Sequence, residues 1–207
     1  MTFNAKKVTV ALILTVGFII CRAPLAYSQV GIVGGVNYSF MRNSVLENDE
    51  PAYTWNLGAN VELSPKTWKK FSIETRIMFI QKGYRQYADK WYTFHFDYLS
   101  VQPTINYSPV KQLSVDAGID ISGLINANVI KWADTYNLTD AGVVFGVSAF
   151  RHKRISLYSR IIYGLTPMLE YHAIDEMGNF TGEIKDLKNT CIQVGVRINI
   201  YHEKLSF

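Results

Sequence analysis

Apolar and polar residues alternate with a period of two along most of this chain. In the segment SVDAGIDISGLINANV, residues 114–129, Ile119 and Ile121 fall on an apolar side, and Asp116 and Asp120 fall on a polar side. Because successive side chains of a β-strand point to opposite faces, this segment is predicted to be a strand with two unlike faces. Seven other segments alternate in the same way and are also predicted as strands: 30–40, 53–63, 71–82, 99–107, 140–149, 155–165 and 191–200.

The alternation is disturbed at two places in the middle of the chain. Met78 and Ile80 put apolar residues on the polar side of the third strand, near its end. Before the fourth strand, Phe96 and Tyr98 lie in the opposite phase to the apolar residues that follow them. If these aromatic residues belong to the apolar side, the phase has to change. We therefore expect a bulge, or the start of the strand, near Asp97 and Tyr98.

Short and long connections alternate between the predicted strands. Short turns are expected at 64–66, 108–111 and 151–154, and longer polar loops are expected at 42–51, 83–92, 131–138 and 167–187. Short turns at one end and longer loops at the other are typical of an up-and-down barrel in an outer membrane, with the turns in the periplasm. An even number of strands then places both chain termini on the periplasmic side.

The composition of the polar side indicates that this side is enclosed. Over the eight segments it consists of Gly, Ser, Asn, Thr, Gln, a few acids and three arginines, and its one lysine, Lys82, lies at a strand end. A face open to water accepts lysines readily, whereas an enclosed lumen favours small residues and arginines that pair with carboxylates. The fold is therefore predicted to be all-β, an eight-stranded antiparallel up-and-down transmembrane β-barrel with the architecture of the small OmpA- and OmpX-like barrels.

This orientation assigns charged residues to the lumen and apolar residues to lipid. The lumen is expected to hold a structural charge cluster of Glu62, Glu74, Arg76, Asp116, Asp120, Asp140, Arg160 and Arg197. Because an unpaired buried charge is costly, at least two of the arginines should pair with carboxylates there. The residues expected to face lipid are Trp55, Leu57, Ile119, Ile121, Val143, Phe145, Ile161, Val194, Val196 and Ile198.

The beginning of the chain has the pattern of a secretory signal peptide. Two lysines precede an apolar run over residues 8–20, and small residues at 26 and 28 suit cleavage after Ser28. The chain is thereby divided into a signal peptide, residues 1–28, and an outer-membrane barrel domain, residues 29–207. The formal net charge of +4 then falls to about +1, because the signal segment holds three cations and no acid. This charge gives no support to nucleic-acid binding.

Several segments, taken in order, resemble one group of proteins. They are GIVGGVNYSF near the start of the mature chain, FSIETRIMFIQKGYRQ, YLSVQPTINYSP, LSVDAGIDISGLINA and DAGVVFGVSAF, followed by a closing strand with alternating residues. Together they resemble the outer-membrane β-barrel domain proteins of Bacteroidetes, the PorT-like group. The resemblance implies an eight-stranded barrel in the outer membrane of a Gram-negative bacterium. Phe207 also resembles the terminal aromatic residue that such barrels present to their assembly machinery.

The sequence shows no catalytic, cofactor-binding or metal-binding motif. Its four histidines include no His-x-x-x-His spacing, there is no nucleophile elbow, and the mature chain keeps one cysteine, Cys191. We therefore expect a non-enzymatic outer-membrane barrel without a cofactor, with a structural or partner-binding role in the cell envelope. Its expected partners are outer-membrane lipid, the assembly machinery and an envelope protein bound through the extracellular loops.

Two other functions stay open at this point. A barrel-rim enzyme that hydrolyses lipid A or peptides would use His with Ser or Asp near the outer rim, and His95, Asp97 and Ser100 form the cluster worth testing. A soluble periplasmic barrel would instead turn its apolar side inward to bind a ligand. Sedimentation with the outer membrane after carbonate extraction would separate this last function from the other two.

Overall fold

Eight β-strands account for most of the chain that the structure describes. The computed structural model describes residues 26–42, 49–65, 68, 70–87, 89–128, 137–174 and 180–202. The strands are β1 (Ala26–Arg42), β2 (Asp49–Pro65), β3 (Phe71–Tyr87), β4 (Trp91–Val110), β5 (Leu113–Ala127), β6 (Thr139–Ala149), β7 (Ile155–Ile174) and β8 (Phe180–His202). Within these residues there is no helix long and apolar enough to cross a membrane. Each of the eight predicted strands is present.

The strands form a closed antiparallel barrel in which each strand pairs with its neighbours in chain order. The barrel closes where β8 pairs with β1, with Gln29 opposite His202 and Val36 opposite Val194. One end, here called the turn end, holds the turns 111–112 and 150–154, the end of β2 and the start of β3, together with the first residues of β1 and the last residues of β8. The other end, the loop end, holds the last residues of β1, β3, β5 and β7 and the first residues of β2, β4, β6 and β8.

The polar side of the strands faces the barrel axis, and the apolar side faces outward. Ile119 and Ile121 are 48% and 45% exposed, whereas Asp116 and Asp120 are 4% and 1% exposed. The ten residues expected to face lipid all lie on the outer face. An eight-stranded barrel has an interior just wide enough for side chains to fill, so its inward side chains pack against one another.

The outer face changes character toward the loop end. Along β3 the outward residues carry no charge from Phe71 to Phe79, and Gln81 comes next. Phe79 pairs with Leu99 of β4, and Gln81 pairs with Asp97, so both strands leave the apolar belt at the same level. The β3–β4 hairpin continues beyond this level for about 25 Å of strand, at about 3.3 Å per residue.

Two of the predicted long loops are wrong in extent. Most of 83–92 and of 167–187 belongs to the β3–β4 and β7–β8 hairpins, and the connections themselves are short. These segments looked like loops because they continue past the apolar belt. In the β3–β4 hairpin, polar residues such as Gln81 and Arg85 on the outer face replace the apolar residues that mark a lipid-facing strand, so the alternation weakens although the strand continues.

The bulge predicted near Asp97 and Tyr98 is present, but it lies in the pairing with β5 and leaves the phase of β4 unchanged. Phe96 and Tyr98 face inward like Ser100, and β4 alternates without interruption. A register irregularity does occur between Asp97 and Tyr98, but the extra residue is Ile125 of the paired strand β5. Above the belt the outer face is polar, so the apolar side chains of the hairpin lie inside, where they are removed from water.

Candidate functional site: the filled barrel interior

Near the turn end, seven charged side chains fill the interior. This lower ion network consists of Glu62, Glu74, Arg76, Asp116, Arg151, Arg160 and Arg197, all buried. Glu74 lies at its centre. Its carboxylate accepts from Arg76 Nε at 3.0 Å, from Arg151 Nη2 at 2.8 Å and from Arg160 Nη2 at 2.9 Å. Arg197 Nη1 is 3.7 Å from the same carboxylate, so four guanidiniums surround one acid.

The other two acids of the lower ion network, Glu62 and Asp116, also pair with its arginines. Glu62 is 3.0 Å from both Arg151 Nε and Arg197 Nη1, and it also accepts from the Ser72 hydroxyl at 2.6 Å. Asp116 lies 2.9 Å from Arg160 Nε. Shared carboxylates of this kind offset the free-energy cost of desolvating each guanidinium. Removal of one carboxylate would leave several charges uncompensated.

Arg151 enters the network from the turn between β6 and β7. Phe150 has a φ of 58°, a left-handed conformation that is unfavourable for a residue with a side chain, and it reverses the backbone at this point. Arg197 Nη2 donates to the Arg151 carbonyl at 2.5 Å, and Asn199 Nδ2 donates to the Lys153 carbonyl at 2.8 Å. The turn is thereby anchored over the barrel mouth, with the Arg151 side chain inside.

The two neighbouring acids keep Arg151 charged. Burial by itself lowers the pKa of the Arg151 guanidinium, but the carboxylates of Glu62 and Glu74 raise it, and the net shift is upward. A cation in this position closes the turn end of the lumen and balances the carboxylates that face it.

A second set of buried charges, the upper ion network, lies closer to the loop end and consists of Lys82, Asp120 and Asp140. Lys82 Nζ is 3.3 Å from Asp120 Oδ2 and 2.7 Å from Asp140 Oδ2. Asp120 also accepts from Ser100, from Ser122 at 2.8 Å and from Gln102 at 3.1 Å. The second amide atom of the same glutamine, Gln102 Oε1, accepts from Arg160 Nη1 at 3.5 Å and links the two networks.

The buried charges of the two networks balance. The lower network holds four guanidiniums and three carboxylates, and the upper network holds one ammonium and two carboxylates. These ten are the charged side chains that are buried among the described residues. A lumen whose charges cancel through direct contacts is a packed core, and it leaves no row of free charges along which an ion would pass.

Apolar side chains occupy the rest of the interior. One cluster lies beside the ion networks and consists of Val33, Met78, Ile80, Val144, Tyr158, Ile162 and Cys191. A second cluster, here called the apolar plug, fills the loop end and consists of Met41, Tyr84, Phe96, Tyr98, Met168 and Leu187. Met78 and Ile80, which disturbed the sequence pattern, are therefore interior residues. The plug closes the lumen above Lys82.

Gly146 makes room for one ion pair of the lower network. A Cβ at this position would lie 2.5 Å from Arg160 Cγ and 2.8 Å from Asp116 Oδ1. Arg160 and Asp116 meet across β6 at this point, so the strand between them has to carry no side chain. The inward glycine is thus required by the ion pair and not by the backbone conformation.

All eight residues of the predicted lumen cluster lie inside the barrel, but two partners were missed. The three predicted arginines all pair with carboxylates. Lys82 has the same phase as Glu74 and Arg76, which is a signal that it faces inward. Arg151 gives no such signal, because it lies in a turn, where period two does not apply.

The structure does not bring the suspected catalytic cluster together. His95 and Asp97 lie on the outer face of β4, whereas the Ser100 hydroxyl faces the lumen and donates to Asp120. Asp97 accepts from Gln81 and Asn126 side chains at 2.9 and 3.1 Å. Ser100 therefore has no contact with a histidine base. Among the described residues, no group of three or more His, Cys, Asp or Glu is placed to hold a metal ion.

The tip of the β3–β4 hairpin forms a second surface, outside the barrel. Asp49, Glu50, Tyr87 and Trp91 line a shallow open groove there. Arg85 lies over the Trp91 ring, with 4.7 Å from its guanidinium carbon to the ring centre, and 3.4 Å from the Glu50 carboxylate. Exposed aromatic rings with fixed charges beside them are typical of surfaces that bind partners.

A closed barrel with a charged, filled interior and an apolar outer belt defines the class of integral membrane β-barrels. The structure is similar to that of Neisserial surface protein A, with a TM-score of 0.51 and 10% identity over 83% of this chain and 97% of that one. It is also similar to Ail, the attachment invasion locus protein of Yersinia pestis (TM-score 0.43, 11% identity, 84% and 99% covered), and to OprG from Pseudomonas aeruginosa (TM-score 0.44, 8% identity, 86% and 97% covered).

The sequence itself assigns the family. The family model for the outer membrane protein beta-barrel domain matches residues 22–170, which is most of the chain. The protein therefore belongs to the outer membrane protein beta-barrel domain family. No curated protein matches the chain in sequence.

Proposed function

We propose that this protein is a non-enzymatic envelope barrel that presents a partner-binding surface on its loop end. In this proposal the turn end lies in the periplasm of a Gram-negative bacterium, the β3–β4 and β7–β8 hairpins project outside the cell, and residues 1–28 are removed as a signal peptide. Membership of the PorT-like group of Bacteroidetes and recognition of Phe207 by the assembly machinery are parts of the same proposal.

The observation that carries it is the contrast between the filled lumen and the projecting hairpin. Two ion networks and the apolar plug occupy the lumen in turn, which favours a packed interior over an open channel. The β3–β4 hairpin continues as regular strand beyond the apolar belt and ends in an aromatic and charged groove. A transmembrane barrel needs no such extension to span lipid, since about ten residues per strand suffice.

Site-specific photo-crosslinking in intact cells tests the proposal. A photoreactive residue at Tyr92, on the hairpin tip, is expected to capture an envelope protein, and the same residue at Leu57, in the apolar belt, is not. The double substitution Tyr87→Ala and Trp91→Ala should abolish capture from Tyr92 while the barrel keeps its heat-modifiable gel mobility. Equal capture from both positions, or capture that survives the double substitution, would contradict the proposal.

The non-enzymatic part has its own test. His95→Ala is expected to leave lipid A and peptide processing by the purified, folded barrel unchanged, because His95 lies on the outer face while the Ser100 hydroxyl faces the lumen and donates to Asp120. Turnover of either substrate by the unsubstituted barrel, lost in His95→Ala, would identify a rim enzyme instead. Large stable currents in planar bilayers would likewise contradict the filled lumen.

A further inference from the structure

We propose that the groove at the tip of the β3–β4 hairpin binds a lysine or arginine side chain of the partner protein. This inference rests on the proposed function, because it names the chemistry that the partner offers to that same surface. The groove holds the cation between a carboxylate, that of Asp49, and two aromatic rings.

Acids and aromatic residues line this groove. They are Asp49 and Glu50 at the start of β2, Tyr87 at the end of β3 and Trp91 at the start of β4. These four lining residues include two carboxylates and no lysine, arginine or histidine. A concave surface lined by charge of one sign raises the local concentration of groups with the opposite charge. The lining therefore favours a cation over an anion.

The two carboxylates of the groove differ in their partners. The Glu50 carboxylate is 3.4 Å from Arg85 Nη1 and is thereby already paired. Asp49 is half-buried, and no lysine or arginine in the described part of the chain pairs with it. A carboxylate that is partly shielded from water gains from a charge-assisted hydrogen bond with an incoming N–H donor. Asp49 is therefore the group in the groove that is available to a cation of the partner.

The aromatic rings of the hairpin tip already bind cations of this chain. The Arg85 guanidinium carbon is 4.7 Å from the centre of the Trp91 ring, and Lys90 Nζ is 5.4 Å from the centre of the Tyr92 ring. A cation within about 6 Å of the centre of an aromatic ring is attracted by the negative charge of the ring face. Arg85 and Lys90 do not line the groove, so neither of them occupies it.

A long cationic side chain fits this groove better than a small cation does. Tyr87 and Trp91 meet edge to face, with ring centres 5.3 Å apart. The apolar stem of a lysine or arginine packs against such rings while its charged end extends beyond them, here to Asp49. Sites for small ligands enclose most of the ligand, whereas this groove is shallow. A side chain that is carried by a protein surface needs no such enclosure.

Photo-crosslinking from position 92 measures this contact. Asp49→Asn keeps the shape of the side chain and removes its charge. We expect capture of the partner to fall about tenfold, because hydrogen bonds to charged groups contribute about that factor to affinity. Asp49→Lys should lower capture further, since like charges across an interface repel. Higher ionic strength should weaken capture by the native barrel as well.

Asp97→Asn is the matched control. It makes the same substitution on the outer face of β4, outside the groove, and should leave capture unchanged. Heat-modifiable gel mobility shows that each variant is folded.

A charge exchange then tests the contact from the side of the partner. Mass spectrometry of the crosslinked peptides locates the partner segment beside position 92, in which we expect a lysine or arginine. Replacement of that residue by aspartate should restore the capture that Asp49→Lys loses. Equal capture by Asp49→Asn and the native barrel, or a partner segment without a lysine or arginine, would overturn this inference and leave the proposed function intact. Absence of capture by the native barrel would contradict the proposed function, and this inference with it.

Discussion

The two halves of this barrel follow opposite rules for the same alternating pattern. In the turn-end half, charged side chains lie inside and apolar side chains face outward. In the β3–β4 hairpin, the inward residues Tyr84, Phe96 and Tyr98 are apolar, and the outward residues include Gln81 and Asp97. The turn-end half, here called the lower half, therefore has the side-chain distribution of a barrel in lipid. The part of the barrel above the apolar belt, here called the upper half, has the distribution of a small barrel in water.

The boundary between the two halves lies within single strands. Along β3, inward Arg76 is followed by Met78 and Ile80, while outward Phe79 is followed by Gln81. The pairings of β3 with β2 and of β4 with β5 have register irregularities near this level, but the side chains of β3 and β4 keep the same alternation between the two faces on both sides of it. What changes is the medium outside the barrel, and each side chain lies on the face where its transfer free energy is favourable.

The largest expected effect comes from the centre of the lower ion network. Glu74→Gln leaves Arg76, Arg151 and Arg160 without their shared carboxylate, and Arg197 loses its more distant contact. We expect the free energy of unfolding to fall by about 3 to 5 kcal/mol. Urea titration of the barrel in detergent micelles measures it. A loss below about 1 kcal/mol would show that the network is not the core of the lower half.

A comparable but local loss is expected in the upper half. Phe96→Ala removes a fully buried ring from the apolar plug and should cost about 3 to 5 kcal/mol. Because the plug lies above the belt, the loss should appear as faster amide hydrogen exchange in the β3–β4 hairpin, with β6 unchanged. Equally faster exchange in both places would mean that the two halves unfold as one unit.

A lysine on the outer face should distinguish the two media. Ile77→Lys and Gln81→Lys both lie outward on β3, below and above the edge of the belt. We expect Ile77→Lys to destabilise the barrel in lipid vesicles by about 2 to 4 kcal/mol and Gln81→Lys to have little effect, because only the first charge enters hydrocarbon. Similar unfolding free energies for the two variants would place the edge of the membrane elsewhere.

The smallest effect is expected at the hairpin tip. Glu50→Gln removes the Arg85–Glu50 ion pair, whose side chains are 37% and 49% exposed. Exposed pairs of this kind contribute about 0.2 to 1 kcal/mol, and salt screens them. The urea midpoint of Glu50→Gln should therefore move little. This variant is the matched control for Glu74→Gln, because each replaces one glutamate by glutamine. A loss as large as that of Glu74→Gln would remove the distinction between interior and exposed carboxylates.

The candidate site could be predicted wherever the alternation was unbroken. Glu62, Glu74 and Asp116 lie in phase with the small polar residues of their strands, and all three are buried in the lower ion network. The hairpin aromatics could not be placed in this way. Alternation alone does not say which face Phe96 and Tyr98 occupy, because an aromatic residue faces outward where lipid surrounds the barrel and inward where water does. Only the position of the apolar belt along the strand decides between the two faces.

The sequence by itself determined that the chain is a barrel of eight strands and which side chains share a face, because period two is a local property of an extended backbone. The tertiary structure decided which medium each face meets above the belt. It also decided that Arg151 enters the lumen and that Lys82 meets both Asp120 and Asp140. These contacts join residues far apart in the chain, and they exist only once the barrel has closed.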